Sequence, residues 1–335
     1  MKYFIHTFGC QMNKSDSERI AGVLERTGYQ KASNENEADL ILVNMCSVRQ
    51  SAVDRVYGMA QKFKKIKSQK SKVKTLLTGC ISKKDFLKFK KFFDFILPIK
   101  TLTLWPEILK KEGFHFLPAQ REKNFVEKFD CQYLKIKPKY EKNFSVFIPI
   151  SIGCNNFCSF CIVPFVRGPL ICRDYQEILE EVKEAIKNGA KEIWLLGQNV
   201  NDYSYPSHNA ETPLLRSSGV FDRKEIVNFA KLLRMVNEIE GNFWIRFTSP
   251  HPKNFSDELI ETMAKCQKVT PYLNLPVQSG DDEILRKMNR GYTVKEYKNL
   301  VKKIRKAFKK YRKELEKEVA ISTDVIVGFP GETEK

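Results

Sequence analysis

The sequence predicts an α/β protein with two domains, an N-terminal doubly wound parallel sheet followed by a partial (β/α) barrel. Three features carry the prediction. In the first eighty residues three apolar runs of strand length, YFIHTF, DLILVNM and VKTLLTG, are each followed by a helical or polar segment, and strand-then-helix repetition is the pattern of a parallel sheet. From residue 144 onward, five further strand candidates alternate with amphipathic helical segments, the repetition that builds barrels. A chain of 335 residues is also too long for one ordinary core unless that core is a barrel.

The first run leads into SDSERIAGVLERTGY and the second into VRQSAVDRVYGMAQKFKKIK, both with helical spacing of apolar residues. A cysteine stands just past each strand: Cys10, Cys46 and Cys80. Right-handed crossovers put such strand ends on one edge of the sheet, where open α/β sheets bind ligands. A lone free cysteine is usually a small buried hydrophobe. Three of them at equivalent strand ends are better explained as thiolate ligands of a metal site. Residues 116–143 are charged and weakly patterned and read as a linker between a domain of residues 1–115 and one of residues 144–335. Cys131 lies in that linker without a partner at ligand spacing and reads as a bystander.

In the second domain the strand candidates are 146-VFIPIS-151, 192-EIWLLGQ-198, 243-FWIRFTS-249, 272-YLNLPVQ-278 and 321-ISTDVIVGF-329, with helices such as 175–189 and 296–315 between them. Barrel sites gather at the C-terminal ends of the strands. Glycines there fit tight turns, but Gln198, Asn199, Asn201, His251, Gln278 and Ser279 are not explained by turn formation alone. Residues 204–225 read as a loop insertion on the same face. GFPGETEK follows the fifth strand without a helix or closing strand, so the chain is expected to be a fragment lacking at least one βα unit.

Charge is lopsided, with 58 Lys and Arg against 40 Asp and Glu for a net +18. Such a surface attracts polyanions, nucleic acid first among them; a generally lysine-rich composition is the less favoured alternative. Basic residues crowd Lys62–Lys74 and Lys302–Lys313; the second group shares a helix with Leu300, Ile304 and Phe308, so RNA contact and a solvated helix face weigh evenly. No stretch approaches the roughly 18 apolar residues of a membrane span, which predicts a cytoplasmic protein with no membrane partner. Nine cysteines, an odd number, in a long chain without a secretory signal point to metal or redox ligands rather than a disulfide framework.

The densest motif is 151-SIGCNNFCSFCIVPFVRG-168, with Cys154, Cys158 and Cys161 at spacings of four and three. A structural zinc would want a fourth ligand, yet residues 140–170 hold no histidine and no other cysteine. Three thiolates on a four-iron cluster leave one iron open, and an open metal position is a place for chemistry.

Cys154, Cys158, Phe160 and Cys161, in C-x-x-x-C-x-aromatic-C after the first barrel strand, resemble the signature of the radical S-adenosylmethionine (SAM) superfamily. TFGCQMNKSDSERIAGVL, LVNMCSVR, TGC, LLGQNVNDY, RFTSPHP, LPVQSGDDEILRKMNR and STDVIVGFPGET closely resemble the methylthiotransferases within it, over nearly the whole chain. LGQNVN and RFTSPHP resemble the MiaB type, which acts on tRNA, more than the types that modify ribosomal protein S12 or threonylcarbamoyl-adenosine. The resemblance implies a radical-SAM barrel and a chain truncated before the last barrel strand and an RNA-binding TRAM domain. It implies two [4Fe–4S] clusters, a radical-generating one on Cys154, Cys158 and Cys161 and an auxiliary, sulfur-handling one on Cys10, Cys46 and Cys80. Phe160, Gln198, Asn199, Gln278 and Ser279 become candidates for contacts with SAM or substrate. The implied reaction adds a methylthio group to carbon 2 of N6-isopentenyladenosine at tRNA position 37, one SAM supplying the methyl group and another the radical. The implied partners are the tRNA anticodon stem-loop carrying isopentenyladenosine and an electron donor such as flavodoxin or ferredoxin, with the enzyme a monomer. One departure stands out: members often read R-G-x-E-x-S-R-P where this chain has RGPLICRD, so Leu170, Cys172 and Asp174 differ while Arg167 and Arg173 remain. A rival of another class is a non-catalytic iron–sulfur or zinc-binding RNA protein.

Overall fold

The computed structural model describes residues 1–69, 72–110, 131–141, 144–206 and 226–334. The chain divides into two compact units, Met1–Glu141 with Ile162–Gly168 and Lys142–Cys161 with Pro169–Lys335.

The first unit runs β1 (Lys2–Phe8), α1 (Gln11–Arg26), β2 (Gln30–Lys31), β3 (Leu40–Cys46), α2 (Gln50–Gln69), β4 (Lys74–Cys80), α3 (Lys83–Phe89), β5 (Phe95–Ile96) and α4 (Trp105–Ile108), and recruits α5 (Val163–Val166) from later in the chain. Its five strands are all parallel in the order β2-β1-β3-β4-β5. Every residue of β3, LILVNMC, is buried, the near-continuous apolar run expected of a strand covered on both faces. Phe63, Phe89 and Phe93 pack edge to face between α2, α3 and the sheet, each ring contributing about 2–3 kcal/mol by burial. Residues 131–141, within the stretch read as a linker, pack on α1. Tyr133 and Leu134 are buried, and Lys139 N–H donates to Glu18 O at 2.8 Å. The Cys131 side chain lies outside the described residues, as do 111–130.

The second unit opens with β6 (Ser145–Pro149) and β7 (Ser151–Ile152), the latter pairing antiparallel with β8 (Ile171–Cys172). There follow α6 (Tyr175–Lys187), β9 (Glu192–Leu196), an antiparallel pair of β10 (Ser204–Pro206) and β11 (Ile226–Asn228), α7 (Phe229–Glu238), β12 (Trp244–Phe247), α8 (Asp257–Lys265), β13 (Tyr272–Asn274), α9 (Asp282–Lys287), α10 (Val294–Tyr311) and β14 (Ala320–Ser322). Strands β6, β9 and β12 are parallel neighbours. A parallel bridge from Ile245 to Val269 carries the arc toward β13, which pairs in parallel with β14. This is the predicted partial (β/α) barrel: five parallel strands in chain order, with helices whose apolar stripes, such as Ile178, Val182 and Ala185 of α6, are buried. The expected loop insertion lies for the most part, at 207–225, outside the described residues.

The two basic segments are more structural than their composition implies. Lys62 pairs with Glu35, and Lys67 with Asp94 at 2.7 Å. Arg312 is buried, its guanidinium bonded to the carbonyls of Cys266 at 2.8 Å and Val269 at 3.2 Å, so it closes α10 instead of facing RNA. Lys303 and Arg305 pair with Asp257 and Glu318. The Lys64 side chain and Lys70 lie outside the described residues. Among the described residues no helix is long and apolar enough to cross a membrane.

Candidate functional site

Cys46 and Cys80 end β3 and β4 and are partners in the sheet register, while Cys10 follows β1 by two residues at the same edge. The turn to each helix is set by polar residues buried inside an apolar sheet. Asn13 Nδ2 donates to Asn44 Oδ1 at 2.8 Å, and Asn44 Nδ2 returns to Asn13 O at 2.8 Å. Both asparagines are fully buried, and Asn13 Oδ1 also faces the Cys10 amide at 3.4 Å. Gly79 is required next to them: its φ is +108°, and a Cβ there would stand 2.2 Å from Met45 O and 2.5 Å from Asn44 Oδ1. A hydrogen bond from Cys80 draws the Cys46 pKa down to about 7 against its burial, helped by the Val48 N–H and Arg167. The same bond, with burial, pushes Cys80 well above the ordinary thiol value while Arg167 pulls the other way.

Arg167 belongs to this unit although it follows the other cysteine motif in sequence. It is 1% exposed. Its Nε donates to Cys80 Sγ at 3.0 Å, its Nη2 to Asp16 Oδ2 at 2.7 Å and its Nη1 to the Tyr133 hydroxyl at 3.4 Å. Burial disfavours the guanidinium charge, but Asp16, itself fully buried, compensates it and holds the Arg167 pKa up.

In the second unit Cys154 and Cys158 are buried and Cys161 is partly so, on the loop that leaves β7. The loop is held from both sides. Gly153 N–H donates to Gln198 Oε1 past the end of β9. Opposite, the residues after α9 grip it: Asn289 Nδ2 donates to the carbonyls of Asn156 at 3.2 Å and Phe157 at 3.1 Å, and Ser159 N–H donates to Met288 O at 3.1 Å. Phe157 and Asn289 both take left-handed backbone, φ 48° and 56°, which is strained for Phe157. Arg290 is buried and sends Nη1 to Cys158 Sγ at 3.3 Å, Nη2 to Pro276 O at 3.1 Å and Nε to the Tyr292 hydroxyl at 3.0 Å. Burial raises the Cys154 pKa, and the Asn156 N–H opposes that.

The remaining sequence candidates divide. Gln198 orients the cysteine loop. Asn199 is buried in its own turn, donating to Asp202 at 3.2 Å and Asn254 at 3.3 Å, yet its Oδ1 has no partner among the described residues. Gln278 is in left-handed backbone, φ 72°, with its amide and carbonyl bonded to Asp324 and Ile326. The Ser279 hydroxyl accepts from Asp281 N–H at 3.3 Å, and Phe160 is 38% exposed beside Cys161. Asn201 clasps the His251 backbone in both directions at 2.8 and 3.0 Å. His251 is buried; that burial, with Arg290 and Lys253, holds its pKa down to about 3. Arg173, 3% exposed, pairs with Glu181 at 2.8 Å, and Cys172 Sγ accepts from Ser204 N–H at 3.4 Å.

Sequence reasoning passed over Asn13, Asn44, Asn289 and Arg290. Asn44 had a signal, a lone amide inside LILVNMC. Asn289 and Arg290 lie in LRKMNR, where no period or ligand spacing sets them apart.

Both sets fit iron–sulfur ligation in the chemistry of their donors: thiols only, each set with a buried guanidinium donating to one sulfur. Among the described residues no group of three or more His, Cys, Asp or Glu side chains is placed to hold a single metal ion. Thiolates that bind separate irons of one cluster need not converge on one point.

The chain matches the family described as "Radical SAM superfamily" over residues 148–335 and the one described as "Uncharacterized protein family UPF0004" over residues 2–97. It is 42% identical to a "tRNA-2-methylthio-N(6)-dimethylallyladenosine synthase" of Clostridium novyi (strain NT), covering 100% of this chain and 69% of that protein. To the protein of the same name from Caldicellulosiruptor saccharolyticus it is 41% identical, covering 99% and 66%. In fold it resembles the radical S-adenosylmethionine methyltransferase TsrM from Kitasatospora setae, with a TM-score of 0.63 at 13% identity, over 99% of this chain and 68% of that one.

Proposed function

Because the chain belongs to the tRNA-2-methylthio-N(6)-dimethylallyladenosine synthase family of the radical SAM superfamily, we propose that it adds a methylthio group to carbon 2 of N6-isopentenyladenosine at position 37 of tRNA. Superfamily membership brings S-adenosylmethionine and one [4Fe–4S] cluster. We assign that cluster to Cys154, Cys158 and Cys161, and a second cluster, for sulfur, to Cys10, Cys46 and Cys80. The observation that carries this reading is the pair of three-thiol sets, one in each unit of a chain whose whole length aligns with about two thirds of relatives named for the reaction.

An aromatic C–H bond offers polar catalysis no usable acid or electrophile, and the radical cluster with SAM supplies the hydrogen-abstracting radical that such a bond demands. The protein's own work is placement. Gln198, Asn289 and Ser159 fix the cysteine loop, so its thiols are presented without further ordering. Arg290 lends positive charge to Cys158. At the other site the Asn13–Asn44 pair and Gly79 hold three strand ends in register. The partners that follow are an anticodon stem-loop carrying isopentenyladenosine, a flavodoxin or ferredoxin as electron donor and, with tRNA as substrate, a cytoplasmic setting. We propose a monomer.

Mass spectrometry of tRNA nucleosides from a deletion strain tests the function: 2-methylthio-N6-isopentenyladenosine should vanish, and its retention would overturn the assignment. Anaerobic reconstitution should yield about eight irons per chain and reductive SAM cleavage, whereas a zinc-binding RNA protein would give neither.

A further inference from the structure

Arg167 is the one residue of the RGPLICRD stretch buried against the first set of cysteines. We propose that Arg167 is a positioning residue for the sulfur-handling cluster: its Nε–H donates to Cys80 Sγ and, balanced by the Asp16 carboxylate, sets that cluster's reduction potential. The inference rests on the assignment of a cluster to Cys10, Cys46 and Cys80.

The three arms of the guanidinium are divided among three partners. Nη2 is taken by Asp16, Nη1 by Tyr133, and Nε is left for the sulfur. Lysine offers a point charge without that fork, so it cannot serve carboxylate and sulfur in the same geometry. The side chain is 1% exposed and Asp16 is fully buried, so neither charge is screened by water. Further positive charges nearby are Lys100, whose Nζ lies 2.8 Å from where a Gly168 Cβ would stand, and Arg19, which like Arg167 acts on Tyr133. Reduction adds an electron that is shared with the thiolate sulfurs. A hydrogen bond and a positive charge at one of them favour the reduced form and raise the potential, and a nearby carboxylate lowers it. Arg167 and Asp16 therefore act with opposite signs on one sulfur.

The test uses the full chain with Cys154, Cys158 and Cys161 all changed to Ala, reconstituted anaerobically and titrated potentiometrically with EPR detection. About four irons per chain are expected in this parent. Arg167→Gln should shift the midpoint negative, Asp16→Asn should shift it positive, and Arg167→Lys should fall between parent and Arg167→Gln. If Arg167→Gln loses its iron through the unpaired Asp16, Asp16→Asn and Arg167→Lys still decide the sign. Shifts of the same sign for Arg167→Gln and Asp16→Asn, or no shift in any variant that retains iron, would overturn the inference alone. A parent that takes up no iron would overturn the cluster assignment and the inference with it.

Discussion

Cys154, Cys158 and Cys161 occupy a single loop, whereas Cys10, Cys46 and Cys80 are delivered by three strands that are distant in sequence. The loop set is local in the chain and fixed from outside, by Gln198 and by the residues after α9. The sheet set is assembled only when β1, β3 and β4 pair, so its loop-closure entropy is met by the fold of the unit. Their electrostatics differ in the same spirit. Arg167 is neutralised by Asp16, while Arg290 forms no ion pair among the described residues and is bonded instead to a carbonyl and a phenol. One site receives a balanced donor and the other an unbalanced cation. The difference teaches that a shared ligand type can be organised by secondary structure in one place and by a clamped loop in another, and that each should fail in its own way.

The largest effect separates the two sets outright. Cys158→Ala is expected to abolish reductive SAM cleavage, and Cys46→Ala to spare cleavage while abolishing methylthio product. Product quantified by mass spectrometry and 5′-deoxyadenosine by chromatography check this. Methylthio product from Cys46→Ala would erase the division of labour. Next in size is Gly79→Ala. With φ at +108° and Met45 O 2.2 Å from the new Cβ, the strand end must shift, at a cost of about 3 kcal/mol or more. Iron should be lost from the sheet set and kept by the loop set, as read by iron counts in chains carrying only one set of cysteines.

Much of this contrast was legible in the sequence, and the reason is locality. The strand ends were marked by Cys10, Cys46 and Cys80 because apolar runs announce a buried parallel sheet, and the loop motif announced itself by spacing. Charge and amide networks were not legible, since they join residues without a common period: Asp16 to Arg167, Asn13 to Asn44, Asn289 to the cysteine loop. The packing of Arg167 in the first unit is the clearest case, because its place in the chain, just after Cys161, points to the other site. Arg312 shows the same limit in reverse. It counted as part of a basic face, and only the carbonyls of Cys266 and Val269 reveal it as a cap.

Acid should strike the barrel unit harder than the sheet unit. Each has a histidine with a lowered pKa, by burial first in both cases, but His6 is only partly buried and keeps Glu35 at 2.9 Å, while His251 is buried and its Nε2 has no partner among the described residues. The His251 pKa is about 3 in the folded protein, below its unfolded value near 6.5. The unfolded chain therefore binds the proton first, so this contribution to stability is complete above about pH 6.5 and is lost as the pH falls toward 3. Between pH 7 and 5 the loss is about 2 kcal/mol, because burial, with the positive charges of Arg290 and Lys253, keeps the imidazole neutral in the folded state over that range. Denaturant unfolding at the two pH values should show a smaller difference in His251→Gln than in the parent. An unchanged pH dependence would show that the histidine is not the source.

The smallest effect is the most specific test of the clamped loop. Asn289 is exposed, so replacing it removes two hydrogen bonds that water partly restores, and the stability cost is about 1 kcal/mol. Asn289→Ala adds the strain of a left-handed residue at φ 56°, whereas Asn289→Gly removes the bonds without it. The two variants thus divide strain from clamping. If the clamp matters, Asn289→Gly alone should lower iron occupancy of Cys154, Cys158 and Cys161 and slow SAM cleavage, with the sheet set untouched, because the carbonyls of Asn156 and Phe157 are then free to swing the loop. If Asn289→Gly behaves as the parent and only Asn289→Ala is impaired, the loop is organised by its own backbone, and the two cysteine sites differ less in construction than their hydrogen bonds imply.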